Sequence, residues 1–360
     1  MQLTQLKYTD TNWEITDLEL ETANLLVGEN AAGKSRTLGM IDLLYKMITQ
    51  KRDLNWGGRW ELVFKNQYGE FLEYNFSIST ISKGVTHEQI KLNGQDVLQR
   101  FDPMHAKLFN KLTGQHEDIY PPKDKLVIHT NRDVKKYPFL EQIANWAEQS
   151  FGFKFSNLNS YAHISKQEYD FLTTVEDIPT LFIGFGKKQR ENIIKSMNEV
   201  GYNVTNLTYK KATADIPIIF VEETDVQKAT PHYKLSQGMF RTLAMLVFIE
   251  HLLFHKKPAT IIIDDLCEGL DYNKAAKLGK MVFDISDKNG IQIIATSNDS
   301  FLMDVVDIQY WNILYRKGKT VKTINKRNHP ELFDNFKFTG LSNFDFFASD
   351  YISQTLNEDQ

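Results

Sequence analysis

Eight residues near the start of the chain carry its strongest chemical signal: Gly28-Glu29-Asn30-Ala31-Ala32-Gly33-Lys34-Ser35. Glycine accepts the left-handed backbone that turns successive N–H groups inward, and such a nest cradles phosphate oxygens. Lys34 then supplies a positive charge for the outer phosphates, and the Ser35 hydroxyl suits a magnesium ion. Glu29, Asn30, Ala31, Ala32 and the following Arg36 complete the candidate binding segment. A second cluster ends the apolar run Thr260-Ile261-Ile262-Ile263 with Asp264 and Asp265. A carboxylate at the end of a buried strand is costly unless a cation or polar network meets it. Magnesium held through phosphates and Ser35 would be that cation. Asp264 is then the metal-side carboxylate, and Asp265 or Glu268 orients an attacking water. Taken singly, the two segments also read as a glycine-rich turn before a helix and a solvated strand end.

The surrounding pattern predicts elements that would position these groups. Asn24–Val27 is a short apolar strand, and an apolar-periodic helix follows Ser35, the order a phosphate loop requires. Gln2–Tyr8 and Trp13–Leu20 alternate as two strands of a hairpin. From Trp60 to about Arg100, short alternating runs are separated by Tyr68-Gly69, Lys83-Gly84 and Asn93-Gly94, which predicts an antiparallel meander. Lys125–His129 reads as a further strand, and Tyr137–Phe151 as a helix opening at Pro138. Residues 150–215 lack a clean period and are assigned to an insertion. Ile216–Val221, Thr260–Asp265 and Gln292–Asn298 read as strands, with helices from Gly238 through Glu250 and from Asn273 to Lys288. Continuous apolar strands alternating with helices predict a buried parallel sheet.

Composition bounds the rest. The 360 residues fit one large domain or two modest ones, and 42 % hydrophobic with 24 % charged residues excludes a disordered or fibrous chain. A net charge of −4 leaves no whole-chain basic field, so nucleic acid or anionic membrane would have to meet a local patch. The single Cys267 excludes an intrachain disulfide and suits a reducing compartment. The first twenty residues lack the apolar stretch of a secretion signal, and no run of about 18 apolar residues stands out. The expectation is therefore a cytoplasmic chain without membrane insertion.

Between the two acidic and glycine-rich motifs lies Leu235-Ser236-Gln237-Gly238-Met239-Phe240-Arg241, with Ser236 28 residues before Asp264. Alone it reads as a helix capped by Ser236. In this order and spacing the chain resembles the ABC-type ATPases. The 202 residues from Lys34 to Ser236, and Gly269-Leu270 after the acidic pair, resemble the RecF/SMC-like branch. They also resemble the compact ATPases related to overcoming-lysogenization-defect proteins, often encoded in bacterial anti-phage operons.

The resemblance implies an α/β P-loop NTPase: an ABC-ATPase head with an antiparallel β lobe and an inserted mixed subdomain. Residues 1–130 would form the N-terminal half of the head, 131–215 the insertion, 216–315 the C-terminal half and 316–360 a basic and aromatic tail. ATP and Mg2+ are the implied cofactors and ATP hydrolysis the implied reaction. Ser236 and Gly238 would contact the γ-phosphate held by a second subunit, giving a homodimer that sandwiches two nucleotides. Two positions depart from the family pattern. Asp265 stands where a glutamate is usual, with Glu268 as the compensating carboxylate, and Asn298 in Thr296-Ser297-Asn298-Asp299 stands near the usual histidine. Asn298 serves either as a third catalytic group or as a loop cap. No glutamine loop is assigned; Gln67 and Gln115 are available without a motif.

The role implied is a nucleotide-gated dimeric switch in a DNA-linked, repair or anti-phage defence system with a separately encoded effector. The alternatives are the motor subunit of a membrane transporter and a low-turnover nucleotide-binding scaffold. Lys187, Lys188 and Arg190, with Arg316, Lys317, Lys319, Lys322, Lys326 and Arg327, are either a local nucleic-acid patch or solvated faces. His129 or Arg132 either approaches the nucleotide edge or joins surface charge pairing. The six phenylalanines of Phe333–Phe347 either fold back on the core or dock a second chain.

Overall fold

The computed structural model describes residues 1–155, 178–211, 217–256, 258–336 and 340–348. β1 (Gln2–Thr9) and β2 (Glu14–Glu19) form the expected antiparallel pair, and Asp10 closes their turn by accepting from the Asn12 and Trp13 N–H groups. β3 (Ala23–Val27) is buried at all five positions and leads through residues 28–33 into α1 (Lys34–Ile48). The meander follows as β4 (Gly58–Lys65), β5 (Phe71–Ser79), β6 (Gly84–Leu92), β7 (Gln95–Asp102), β8 (His105–Asn110) and β9 (Gln115–Ile119). Its last two strands extend it beyond the predicted limit near Arg100. α2 (Val127–Thr130), α3 (Pro138–Glu148) and β10 (Ser150–Lys154) come next.

After α4 (Ile178–Ile183) and α5 (Lys187–Val200), β11 (Val204–Lys211), β12 (Pro217–Glu223) and β13 (Thr230–Pro231) make a separate three-stranded antiparallel sheet. The remaining chain alternates helix and strand: α6 (Gln237–His255), β14 (Thr260–Asp264), α7 (Tyr272–Asn289), β15 (Gln292–Thr296) and α8 (Ser300–Val305). A hairpin of β16 (Trp311–Lys317) and β17 (Thr320–Ile324) precedes α9 (Pro330–Phe336) and α10 (Asn343–Ala348).

Among the described residues, fourteen strands join one sheet in the order β10-β14-β15-β3-β16-β17-β2-β1-β4-β5-β6-β7-β8-β9. The first five run parallel, and antiparallel pairing dominates the rest. Alternation along the buried strands divides the core between two faces. Leu25, Val27, Ile261, Ile263, Ile293 and Ala295 pack with α5, α6 and α7, while Leu26, Ile262 and Ile294 pack with α1, α3 and the meander. Two-faced burial explains why these strands read as continuous apolar runs.

Two expected elements differ. Lys125–His129 is not a strand: its centre winds into α2, because the Glu88 carboxylate takes the Val127 N–H at 3.0 Å and His129 Nδ1 takes the Leu126 N–H. The helix predicted to Phe151 stops at Glu148, since Ser150–Lys154 pairs in parallel with β14 and becomes the edge strand of the core. Ile216 and residues 156–177 of the predicted insertion lie outside the described residues, as do Phe338 and the tail beyond 348.

α6 is long and apolar enough to span a bilayer, and here it is a core helix with Met239–Ile249 all buried. The described tail phenylalanines fold back. Phe333, Phe336 and Phe346 are buried in the core, with the Phe336 and Phe346 rings 4.3 Å apart.

Candidate active site

β10, β14, β15 and β3 are parallel neighbours, so their carboxyl ends meet at one edge of the sheet. Open α/β sheets bind ligands at that edge. Residues 28–35 leave β3 there. Ala31 (φ 67°) and Gly33 (φ 103°) take the left-handed turn. A Cβ on Gly33 would stand 2.5 Å from the Trp13 ring, and one on Gly28 2.6 Å from the Leu314 carbonyl oxygen. Both glycines are thus required by their surroundings. No side chain caps α1, which leaves its N-terminal N–H groups facing the loop as an anion site.

Lys34 is buried, and its Nζ donates to the carbonyls of Gly28 (2.6 Å) and Glu29 (3.0 Å). Burial lowers its pKa, while Asp265 and Asp264 pull it back up. Ser35 Oγ donates to Asp264 Oδ1 at 3.1 Å, and Thr296 Oγ1 donates to the same oxygen at 2.6 Å. Two adjacent ligands of an octahedral magnesium ion lie about 3 Å apart. The Ser35–Asp264 pair fits that separation, and an all-oxygen donor set suits a hard cation.

The loop after β14 is unusual backbone. Asp265 (φ 55°), Cys267 (φ 69°) and Gly269 (φ 80°) are all left-handed, a conformation that needs local support in non-glycine residues. β15, lying between β14 and β3, gives that support: Thr296 Oγ1 accepts the Asp265 N–H at 2.9 Å and the Thr296 carbonyl accepts the Leu266 N–H at 2.8 Å. Asp265 is thereby aimed at the site, and its Oδ2 receives Lys154 Nζ at 3.0 Å. That hydrogen bond raises the lysine pKa. Lys154 was invisible in the sequence, where a lysine ending a short strand carries no motif. The buried Cys267 thiol has its pKa pushed up by burial and is not a nucleophile.

The fold therefore gathers Lys34, Ser35, Asp264 and Asp265 at one edge. Glu29, Asn30 and Ala31 are exposed on the loop, and Ala32 is buried beneath it. Arg36 lies 4.2 Å over the Trp13 ring and 3.8 Å from Asp10, at the margin of the loop. Glu268 is exposed on the rim, and Asn298 is exposed on the loop that β15 sends out between β14 and β3. Ser236 and Gly238 are not brought to residues 28–35. Ser236 caps α6, accepting from the Met239 N–H at 3.3 Å, and remains exposed. Their side of the molecule instead touches the back of the acidic loop: Arg241 donates to the Glu268 carbonyl at 3.0 Å, and Gly238 abuts Leu270.

Other candidates fall elsewhere. Arg132 pairs with Glu141 (2.7 Å) and Glu148 (3.0 Å), and His129 donates to the Met47 carbonyl at 3.0 Å. Gln67 lines a cavity with Gln149 and Thr260, at the opposite end of β14 from Asp264. Gln115 pairs with Asn110 on the β8–β9 hairpin. Several basic residues have intramolecular partners: Arg190 covers the Phe182 and Tyr209 rings, Arg316 lies over Trp13, Arg327 meets Glu21 and Lys326 meets Asp334.

No protein-family model matches the sequence, and no curated protein matches it. Solved structures do. One, a SmcHead bound to the C-winged helix domain of ScpA, aligns with a TM-score of 0.56 at 11 % identity over 90 % of this chain and 97 % of its own. Another, a Smc head domain with an extended coiled coil bound to the C-terminal domain of ScpA, derived from Pyrococcus furiosus, gives 0.56 at 9 % identity over 93 % and 99 %. The likeness is one of fold, that of a P-loop, ABC-ATPase-type head with a large mixed sheet.

Proposed function

We propose that this chain binds ATP with magnesium, hydrolyses it, and uses the cycle to open and close a homodimer. The observation that carries the reading is the convergence of Lys34, Ser35 and Asp264 at the carboxyl edge of one parallel sheet, beneath an uncapped helix terminus. In this reading the loop N–H groups of residues 29–35 bind the phosphates. Lys34 leaves the Gly28 and Glu29 carbonyls to meet the outer phosphate oxygens. Ser35 and Asp264 would hold magnesium, which would screen the phosphate charge in the transition state. Asp265 accepts a proton from the attacking water, and Asn298 and Glu268 line the approach.

In this reading Ser236, exposed at the start of α6, and the half-buried Gly238 meet the nucleotide of a second copy, where a helix N-terminus and a hydroxyl suit a γ-phosphate. The contact of Arg241 and Gly238 with the acidic loop would tie that event to the chain's own Asp265 and Glu268. The solved Smc heads carry a ScpA domain, which supports a separate partner protein for this head also. We place that partner, with a DNA-linked or anti-phage role, outside this chain.

Lys34→Ala should abolish ATP binding measured by equilibrium dialysis, and a wild-type chain that binds no ATP would end the proposal. ATP should also promote self-association of an Asp265→Asn/Glu268→Gln chain in analytical ultracentrifugation. A second reading, a scaffold with little turnover, is favoured by one observation: the candidate base Asp265 is held by Lys154. Steady-state phosphate release at the level of a Lys34→Ala control would select it.

A further inference from the structure

The reading above gives Lys154 no task beyond restraining Asp265. Resting on that reading, we propose that Lys154 is a catalytic residue that contacts the γ-phosphate: it holds Asp265 in an ion pair until a nucleoside triphosphate arrives, then changes partner and frees the carboxylate.

Lys154 stands in register with Asp264 on the neighbouring strand, at the sheet edge where residues 28–35 lie. Its backbone is fixed to the phosphate-loop helix. The Gly152 N–H donates to Tyr45 Oη at 3.2 Å, Tyr45 donates to Asp42 at 2.8 Å, and Asp42 pairs with Lys46 at 2.8 Å, all three side chains lying on α1. A Cβ at Gly152 would collide with the Asp42 carboxylate, so β10 is seated against the helix that begins with Lys34. The lysine therefore reaches the site from a strand whose distance to the loop is set.

Its head is exchangeable. The Lys154 side chain is 38 % exposed against 18 % for Asp265, and a partly exposed ion pair of this kind is weak. A lysine ammonium is a point charge on a flexible stem, able to follow the stronger anion. A terminal phosphate carries more charge than a carboxylate. Asp264, Asp265 and Glu268 all act on the lysine, so even with magnesium on Asp264 a second positive side chain beside Lys34 would offset the acidic edge that an entering phosphate faces. In the reaction, the water oxygen bonds to the γ-phosphorus as the bond to the ADP oxygen breaks. The water proton passes to the released Asp265. Lys154 neither gains nor loses a proton; it stabilises charge on the phosphoryl oxygens.

The test uses the full chain with fluorescent ATPγS and ADP. Lys154→Met should bind ADP within about twofold of wild type, lose about tenfold in triphosphate affinity and lose about a hundredfold or more in kcat. Lys154→Arg should recover most of both. Asp265→Asn, which releases the lysine, should bind the triphosphate at least as tightly as wild type while kcat collapses, and it serves if the Met variant does not fold. Equal weakening of ADP and ATPγS in Lys154→Met would mark a structural role and overturn the proposal. So would kcat within threefold of wild type, or weaker triphosphate binding in Asp265→Asn. Wild-type protein that binds neither nucleotide would remove the ATPase reading itself, whereas loss of both only in Lys34→Ala leaves that reading standing and the Lys154 result decisive.

Discussion

The two halves of the large sheet treat charge in opposite ways. In the antiparallel half, Glu88 and Arg100 are fully buried, inward-facing and locked. Arg100 donates to the carbonyls of Lys125 (2.7 Å), Pro122 (2.9 Å) and Pro103, and Glu88 accepts from Tyr74 Oη (2.9 Å) and the Val127 N–H. In the parallel half, Lys154 and Asp264 end their strands, Lys34 opens α1 and Asp265 takes left-handed backbone (φ 55°), all with partners that a ligand could replace. The first network holds a loop and a hairpin together. The second is arranged to be taken apart.

The largest effect should come from breaking the locked network. Glu88→Ala leaves Arg100 buried without its counter-charge, which should destabilise the fold by about 3–5 kcal/mol. Glu88→Gln keeps acceptor capacity for Tyr74 and Val127 and should cost clearly less. Urea unfolding reads both. Nucleotide binding by the folded fraction should be unchanged, and a loss of binding there would erase the distinction between the halves.

The same contrast explains what the sequence disclosed. Residues 28–35 were legible as a strand-to-helix loop because glycine stands at Gly28 and Gly33, where no Cβ fits, and Ser236 because a cap must precede its helix. Asp264 was legible as a charge ending an apolar strand. β9 was not, because Gln115–Ile119 is an edge strand with no buried position and so shows no apolar alternation. α2 was misread since Leu126-Val127-Ile128 suits a strand, and only Glu88, 39 residues away, captures the Val127 N–H. Lys154 depends on a pairing with Asp265 across more than a hundred residues, which no local pattern encodes.

A smaller effect should appear at the seam between the halves, where His129 bridges from α2 to the Met47 carbonyl at the end of α1. Burial holds His129 neutral, with its pKa lowered to about 4 from 6.5, and nearby Lys125 acts in the same direction. The unfolded chain thus binds a proton that the folded chain refuses. Stability is intact above about pH 6.5 and falls as pH drops towards 4, by about 3 kcal/mol in all. His129→Gln, which can still donate to Met47, should cost about 1 kcal/mol at pH 7.5 and flatten the slope between pH 4 and 6.5. Parallel slopes in the two proteins would place the acid sensitivity elsewhere.

The smallest effect on stability should separate the two kinds of polar group most sharply. Ser236 caps α6 and Asp271 caps α7, accepting from Met239 at 3.3 Å and Lys274 at 3.1 Å. Loss of either cap should cost about 1 kcal/mol. The Asp271 carboxylate also pairs with Lys274, and that bond holds its pKa below the usual carboxylate range, so Asp271 serves its own helix. Ser236 is exposed, forms the longer cap bond, and starts a helix whose interior is already secured by core packing from Met239 to Ile249. Under the proposed function its exposed hydroxyl, besides capping, meets a phosphate carried by another copy. Ser236→Ala and Asp271→Ala should therefore melt within a few degrees of each other, yet only Ser236→Ala should lose ATP-dependent association. Equal loss in both variants would mean that the start of α6 is a cap and nothing more.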